Sequence, residues 1–355
     1  MITVDILSPV GGRNGGIENV IKLWTKYLDK RQFNLRVIHM APGIKYLEGY
    51  EKAYFFAECE ETELKKRLQY FVENYMSFIC TYGEPDICIA TNWPVMCLVA
   101  DWVRKMSGGT YKILSWVHSR IVEYEKAGLG GAAHMACADA HLCISQNNEK
   151  NILALDSNAE IYVIGNPVVM QKFVEEPERE HVLCYVGRLQ EIKRVDIILE
   201  ALYRAEHKWH LKILGDGESA DELKKIVSYL HQEEQVEFLG WLENPWAYCK
   251  DASALVAASE YEGFQLSAAE ALSMGMTVIS TPVEGVIDYV QPGVNGYFFK
   301  QEDAIGLAQI LDMIYEGKLS LCDRNVCRNS VKKFSVENYF SNVSSILEKI
   351  CGSSD

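Results

Sequence analysis

At 355 residues the chain exceeds the roughly 100–200 residues of one ordinary domain, so it reads as two, each long enough to bury its own core. Its composition, 48% hydrophobic and 24% charged, is that of a protein folded almost throughout, and no Pro-rich, Ser-rich or repeated stretch marks disorder or a solenoid. A net charge of −14 argues against nucleic acid as a partner, because binding a phosphate backbone draws on clustered Lys and Arg.

The chain opens in the strand-like MITVDILSP with no basic flank, so the expectation is a cytoplasmic protein without a signal peptide. Next comes SPVGGRNGGIENV, where Gly11, Gly12, Gly15 and Gly16 lead into the first helix. Glycines there let backbone amides approach an anion at a helix N-terminus. The spacing matches a dinucleotide fingerprint only loosely, VIHMAPG offers no acidic residue at the tip of the second strand for a ribose, and the Gly-Lys-Ser/Thr ending of an NTPase loop is missing. A purely structural turn therefore stays equally open.

Lys22, Lys26, Lys30 and Arg31, and again Lys65, Lys66 and Arg67, read as basic helix faces. Such faces either rest on an anionic surface or are simply solvated. Between them APGIKYLEGYEKAYFFAECEETELKKRLQYF is irregular and rich in Tyr and Phe, suited to sugar faces, to lipid or to packing against a helix. Beyond it DICIATN, KILSWVH, AHLCIS and IYVIGNP alternate with helical stretches, the grammar of a parallel βα succession. The longest apolar run, ICIATNWPVMCLVA, is too short and interrupted to span a bilayer.

Periodicity fails and charge rises between Pro167 and Glu180, which predicts a boundary there. The second half repeats the pattern with HVLCYVG, HLKILG, QVEFLG, ALVAAS and TVIST, and from about Gln301 the chain reads as helices. The expected organisation is α/β, two doubly wound units over residues 1–168 and 169–334, with 335–355 a helix packing back on the first. Ligands in such sheets sit beyond the strand carboxyl ends, here in a cleft between units. Charge is uneven as well: Met1 to Val168 holds 17 Lys plus Arg against 19 Asp plus Glu, the remainder 18 against 30. The eleven cysteines lack any CxxC pair; Cys322 with Cys327 and Cys137 with Cys143 are the closest spacings, and all read as reduced thiols.

Two stretches of the second half carry chemistry. In YVGRLQEIKRVDIILEAL, Arg188 leaves a strand and Lys193 stands at the start of the next helix, so two cations flank a strand end, as suits a diphosphate held without a metal. In EYEGFQLSAAEALSMGMTVIS, Glu262 and Glu270 bracket a helix start; on an ideal helix they would lie at most about 12 Å apart along the axis, less if part is loop. The amides of Gly263, Phe264, Gln265 and Leu266 lie between them, where the helix dipole favours phosphate. Carboxylates accept hydrogen bonds from hydroxyls, so the order acid, amides, acid matches sugar, diphosphate and ribose in a sugar nucleotide. Each residue also has a plainer reading as solvated charge.

With YVGRL and Lys193, LGDGE, VEFLGWL, GNPV, SEYEGFQLSAAEALSMGMTVIST and GVNGYFF in this order, the chain resembles glycosyltransferase family 4, strongly from Val182 to Phe299 and through GGIENV and WVHS upstream. The resemblance implies the GT-B fold, two Rossmann-like domains facing a cleft. By position it implies that Glu262 holds the donor sugar, Glu270 the ribose, and Arg188 and Lys193 the diphosphate. Gly15 and Gly16 fall where the family's first domain approaches the phosphate, Trp241 and Leu242 where the base is read, and His118 at the sugar, or else at a strand end capping a loop. Gln265 and Arg194 stand where the family commonly has glycine or a small residue, and Asp288 where it has Glu.

The resemblance further implies transfer with retention from a nucleotide sugar, UDP-hexose or UDP-N-acetylhexosamine, to a saccharide or lipid-linked saccharide of a surface polysaccharide. No Asp-x-Asp occurs, so no obligatory metal or other cofactor is expected. Weak association of the first domain with the inner face of the cell membrane, and a partner subunit, stay open. So do a sugar-nucleotide 2-epimerase of the same fold and a non-catalytic sugar-nucleotide binder.

Overall fold

The computed structural model describes residues 1–11, 15–43, 46–175 and 181–352. Gly12 of the glycine turn and Glu180 at the edge of the expected boundary lie outside the described residues. The chain divides into two compact units, Met1–Pro167 together with the segment from Val336 on, and Val168–Ser335.

In the first unit the elements run β1 (Ile2–Ser8), α1 (Gly16–Tyr27), β2 (Phe33–His39), β3 (Ala53–Phe55), α2 (Leu64–Tyr82), β4 (Ile87–Thr91), α3 (Met96–Ser107), β5 (Lys112–Val117), α4 (Ile121–Lys126), β6 (Ala140–Cys143), α5 (Gln146–Leu153) and β7 (Ile161–Val163). Among the described residues they form a parallel sheet in the order β3-β2-β1-β4-β5-β6-β7. Helices on both faces explain why its central strands are continuous apolar runs, with Val4, Ile6, Leu7, Ile87, Ile89, Ile113 and Leu114 all buried. Strand order reverses between β1 and β4, so the loop before Gly15 and Gly16 leaves the sheet at its switch point, and His118 leaves β5 one strand further on.

α1 buries Val20, Ile21, Trp24 and Thr25, the face that a 3.6-residue period turns to the sheet. Trp24 meets Trp116 at 4.9 Å between ring centroids and Phe340 at 6.0 Å. Tyr339 and Phe340 belong to a helix over Val336–Gly352, so the end of the chain completes the core of the first unit. Lys22 and Lys26 are exposed on α1, whereas Lys30 and Arg31 lie past its cap at Leu28, with Arg31 bonded to Asp29 at 2.8 Å; the four do not share one helix face. Arg67, within α2, lies over the Trp93 ring at 4.9 Å and is likewise not part of a solvated face.

The aromatic segment is more regular than its sequence implies. It contains the edge strand β3 and the start of α2, and its rings pack inside the unit: Tyr54 meets Phe78 at 4.8 Å and Tyr82 at 4.9 Å, while the Tyr50 hydroxyl donates to the Leu35 carbonyl at 2.7 Å. Beneath it lies a buried ion pair. Asp5, fully buried on β1, accepts from Arg36 Nη2 and from the Tyr75 hydroxyl, both at 2.9 Å, and Arg36 Nη1 donates to the carbonyls of Tyr82 and Gly83. Burial pushes the Asp5 carboxyl up to about 6 against the pull of Arg36.

The second unit runs β8 (Val182–Val186), α6 (Val195–Arg204), β9 (His210–Leu214), α7 (Ala220–Tyr229), β10 (Val236–Gly240), β11 (Ala254–Ala257), α8 (Leu266–Ser273), β12 (Thr277–Ser280), β13 (Gly296–Phe298), α9 (Ala304–Tyr315) and α10 (Arg324–Ser330); α11 (Val336–Gly352) is the helix of the first unit. Its sheet is parallel in the order β10-β9-β8-β11-β12-β13, again reversing at the first strand of the unit. The loops carrying Arg188 with Lys193, and Glu262 with Gln265, leave the carboxyl ends of the neighbouring strands β8 and β11. The eleven cysteines are free, seven of them buried. No helix among the described residues is long and apolar enough to cross a membrane.

Candidate functional site

After β8 the chain passes Gly187 and exposed Arg188 into a single turn, Glu191–Lys193, that ends at Arg194 in the left-handed region, φ 48°. That turn is stitched to the loop after β11 by the Glu260 amide, which donates to the Ile192 carbonyl at 2.9 Å. Arg194 reinforces the seam, reaching Asp196 and Glu302 at 2.9 Å and Glu260 at 3.2 Å. Side chains so fixed hold Lys193 against Glu262, Nζ to Oε1 at 2.7 Å.

Glu262 Oε1 also accepts from Ser259 Oγ at 2.9 Å and from Gln265 Nε2 at 3.4 Å. The other oxygen, Oε2, has no partner among the described residues and is free to accept from a hydroxyl. Gln265 itself is at φ 60°, ψ 74°, immediately before α8. This is the backbone region in which glycine is unstrained, so the expected glycine-like character of this position, and of Arg194, has a conformational basis.

The Tyr289 hydroxyl lies 2.9 Å from the carbonyls of both Phe264 and Gln265, on the buried side. The amides of Gly263, Phe264, Gln265 and Leu266 donate to no group among the described residues. Donors left unpaired at a helix start are groups able to bind an anion. Phe264 offers its amide alone, since its ring is 3% exposed and packs on Tyr289 and Phe334.

Gly285 makes this loop geometry attainable. It sits at φ 80°, and a Cβ there would lie 2.4 Å from the Gly263 carbonyl oxygen and 2.6 Å from Phe264 Cα. Gly285→Ala is accordingly expected to displace the 263–264 segment and weaken nucleotide binding by at least tenfold, roughly the effect of 1.4 kcal/mol; titration calorimetry with and without the substitution measures it.

Glu270 lies one turn into α8, so the interval from Glu262 is half loop and half helix rather than one helix. Its Oε2 accepts from Trp246 Nε1 at 3.1 Å, and its other oxygen has no partner among the described residues. Burial pushes this carboxyl up to about 7, opposed by the indole donor. Trp241, 63% exposed, and Leu242 follow β10, two strands away from β8. The structure thus joins Lys193 to Glu262 directly, while Glu270, Trp241 and Leu242 are not hydrogen-bonded to that pair.

In the first unit, Gly15 is extended at the cap of α1 and Gly16 is its first residue, with no side chain satisfying the helix start. His118 Nε2 lies 3.1 Å from Thr91 Oγ1, and that hydroxyl donates to the Trp116 carbonyl at 2.9 Å. With its proton so committed, Thr91 accepts from His118, which places the imidazole proton on Nε2 and leaves Nδ1 a buried acceptor without a partner. Burial lowers this imidazole to about 3, so at neutral pH it is an uncharged acceptor and not a proton donor.

Sequence reasoning missed Ser259, Trp246, Tyr289 and Gly285. Ser259 lies three residues before Glu262 in the same motif, whereas Trp246, Tyr289 and Gly285 act through contacts across the fold that no motif spacing reveals.

Comparison with known proteins places this geometry in context. Residues 169–334 match the family described as glycosyl transferases group 1. The lipopolysaccharide 1,6-galactosyltransferase of Escherichia coli K12 is 30% identical over 275 residues, 74% of this chain and 75% of that protein. Among solved structures, the apo form of the lipopolysaccharide outer core galactosyltransferase WaaB superposes with a TM-score of 0.85 at 26% identity, covering 98% of this chain and all of that one. Anabaena HepE in complex with UDP shares the fold, with a TM-score of 0.77 at 17% identity over 98% of this chain and 100% of that one.

Proposed function

Because the chain belongs to the group 1 glycosyl transferases, enzymes that act on nucleotide sugars, we propose that it moves a hexose from a UDP-sugar to a saccharide or lipid-linked saccharide, forming an α-linkage with retention. The observation that carries this reading is the run of four unpaired amides from Gly263 to Leu266 beside the Lys193–Glu262 pair. A diphosphate would accept from the amides and compete with Glu262 for Lys193, freeing that carboxylate for sugar hydroxyls. Arg188 adds a second positive charge at the same strand end. The galactosyltransferase relatives and the UDP complex of a protein with this fold support UDP-galactose as the first donor to try.

In this reading the leaving diphosphate, stabilised by Lys193, Arg188 and the helix start, takes the proton of the acceptor hydroxyl as the new bond forms on the same face of the sugar. The protein contributes position and electrostatic stabilisation. His118 is uncharged and its Nε2–H is committed to Thr91, so in this reading it passes no proton to or from the reacting groups. No metal is required, and chelator should leave the rate unchanged.

Calorimetric titration with UDP-galactose, UDP-glucose and UDP-N-acetylglucosamine tests the donor site, and its pH dependence is specific. Glu270, near 7 in the free protein, must be ionised to accept ribose hydroxyls, so the bound state holds fewer protons than the free one. Affinity should rise by up to about tenfold per pH unit below 7 and level off above 8. Glu270→Ala should weaken binding and flatten the profile. A pH-independent affinity, or one indifferent to that substitution, removes Glu270 from the site.

A further inference from the structure

Trp246 has no place in the expected donor site. It follows Pro245 in a short turn after β10, is 5% exposed, and sends its indole N–H out of the second unit's core to Glu270 at 3.1 Å. An indole has one donor and no acceptor, so when buried it must find an acceptor or leave the proton unsatisfied. The acceptor here is a carboxylate on a different element, 24 residues further on.

We infer that Trp246 is a positioning residue for Glu270: its N–H occupies Oε2 and fixes the carboxylate plane so that the remaining oxygen is presented to the hydroxyls of the nucleotide's ribose. This deepens the donor-site reading above and rests on it. The inference comes from the pattern of partners. One oxygen of Glu270 is engaged by a rigid, buried ring and the other has no partner among the described residues, which leaves one side of the group for a ligand. A flexible donor at that oxygen would permit rotation about the terminal torsion, whereas an indole wedged in the core does not.

The neighbouring groups do not substitute for it. Tyr289 turns its hydroxyl to the carbonyls of Phe264 and Gln265. Arg328 and Arg324 of α10 reach the Ser273 and Met274 carbonyls at the far end of α8. The strands beneath, β11 and β12, carry no titratable side chain.

Two replacements separate the donor from the ring. Trp246→Phe removes the N–H with some volume, and benzothienylalanine introduced at position 246 replaces N–H by sulfur in a ring of the same shape. Binding of UDP-galactose is measured by calorimetry from pH 6 to pH 9 on the full chain, with UDP-glucose and UDP-N-acetylglucosamine alongside and with Glu270→Gln as the control.

Both replacements are expected to weaken binding roughly tenfold at pH 7, as the loss of a hydrogen bond to a charged group does, and to move the midpoint of the affinity profile to higher pH. Loss of the N–H withdraws the contact that favours ionised Glu270, so the deficit should shrink as pH rises. A residue that merely supports the fold would lower affinity by the same factor at every pH, and that result, or wild-type binding by the benzothienylalanine protein, overturns the inference. Should Glu270→Gln weaken binding while the Trp246 proteins keep the wild-type profile, the positioning role fails and the donor site stands. Should Glu270→Gln bind as wild type, or no sugar nucleotide bind at all, the donor-site reading fails first.

Discussion

Lys193→Ala is expected to slow sugar transfer by roughly 10²–10³-fold at saturating donor, the loss seen when a preorganised group aimed at developing charge is removed. Two effects act together. The ammonium 2.7 Å from Glu262 is the charge placed beside the unpaired amides, and its side chain is only 21% exposed, so water compensates poorly for its removal. In the free protein the same substitution strands a half-buried carboxylate with Ser259 and Gln265 as its remaining partners. Lys193→Arg should recover part of the rate, since charge returns in a differently shaped head group. Initial rates of UDP release from UDP-galactose measure both variants, and a Lys193→Ala protein within threefold of wild type would remove the lysine from the phosphate site.

The second large effect concerns stability. Arg36→Met leaves Asp5 fully buried with Tyr75 as its partner, and breaking a buried pair from one side costs about 3–5 kcal/mol. For a unit of this size, that is a fall in melting temperature on the order of 10 °C. The double substitution Asp5→Leu, Arg36→Met should regain most of the loss, because apolar groups of similar volume need no partner. Scanning calorimetry of the whole chain distinguishes the outcomes: an undiminished transition for Arg36→Met would show that the Tyr75 hydroxyl satisfies Asp5 without the ion pair.

Much of this molecule is legible in its sequence, for a physical reason. Strands covered on both faces must be apolar throughout, so DICIATN and ALVAAS announce β4 and β11 without help from context. The strands that escaped, β3 and β13, are three residues long and lie at sheet edges, too short to display a period and too peripheral to need an apolar one. At the site the division is similar. Lys193, Glu262 and Glu270 stand in motifs that can be read in order along the chain. Trp246 and Tyr289 act from 24 and 25 residues away, distances fixed only by folding. Gln265 and Arg194 are intermediate cases: both stand where glycine or a small residue is common and both have left-handed backbone, but of the carboxylates that hold Arg194, Glu260 and Glu302 come from loops that no local pattern connects to it.

The helix Val336–Gly352, which lays Tyr339 and Phe340 against Trp24, has a consequence for biosynthesis. The sheet of the first unit precedes Val168–Ser335 in the chain, yet its core stays open until Val336–Gly352 has been translated. All of Val168–Ser335 emerges before that closing segment, so the later unit is the first to have its complete sequence outside the exit tunnel. A nascent chain stalled or truncated ahead of Val336 exposes the Trp24 face, which gives chaperones and proteases a means of telling finished molecules from unfinished ones.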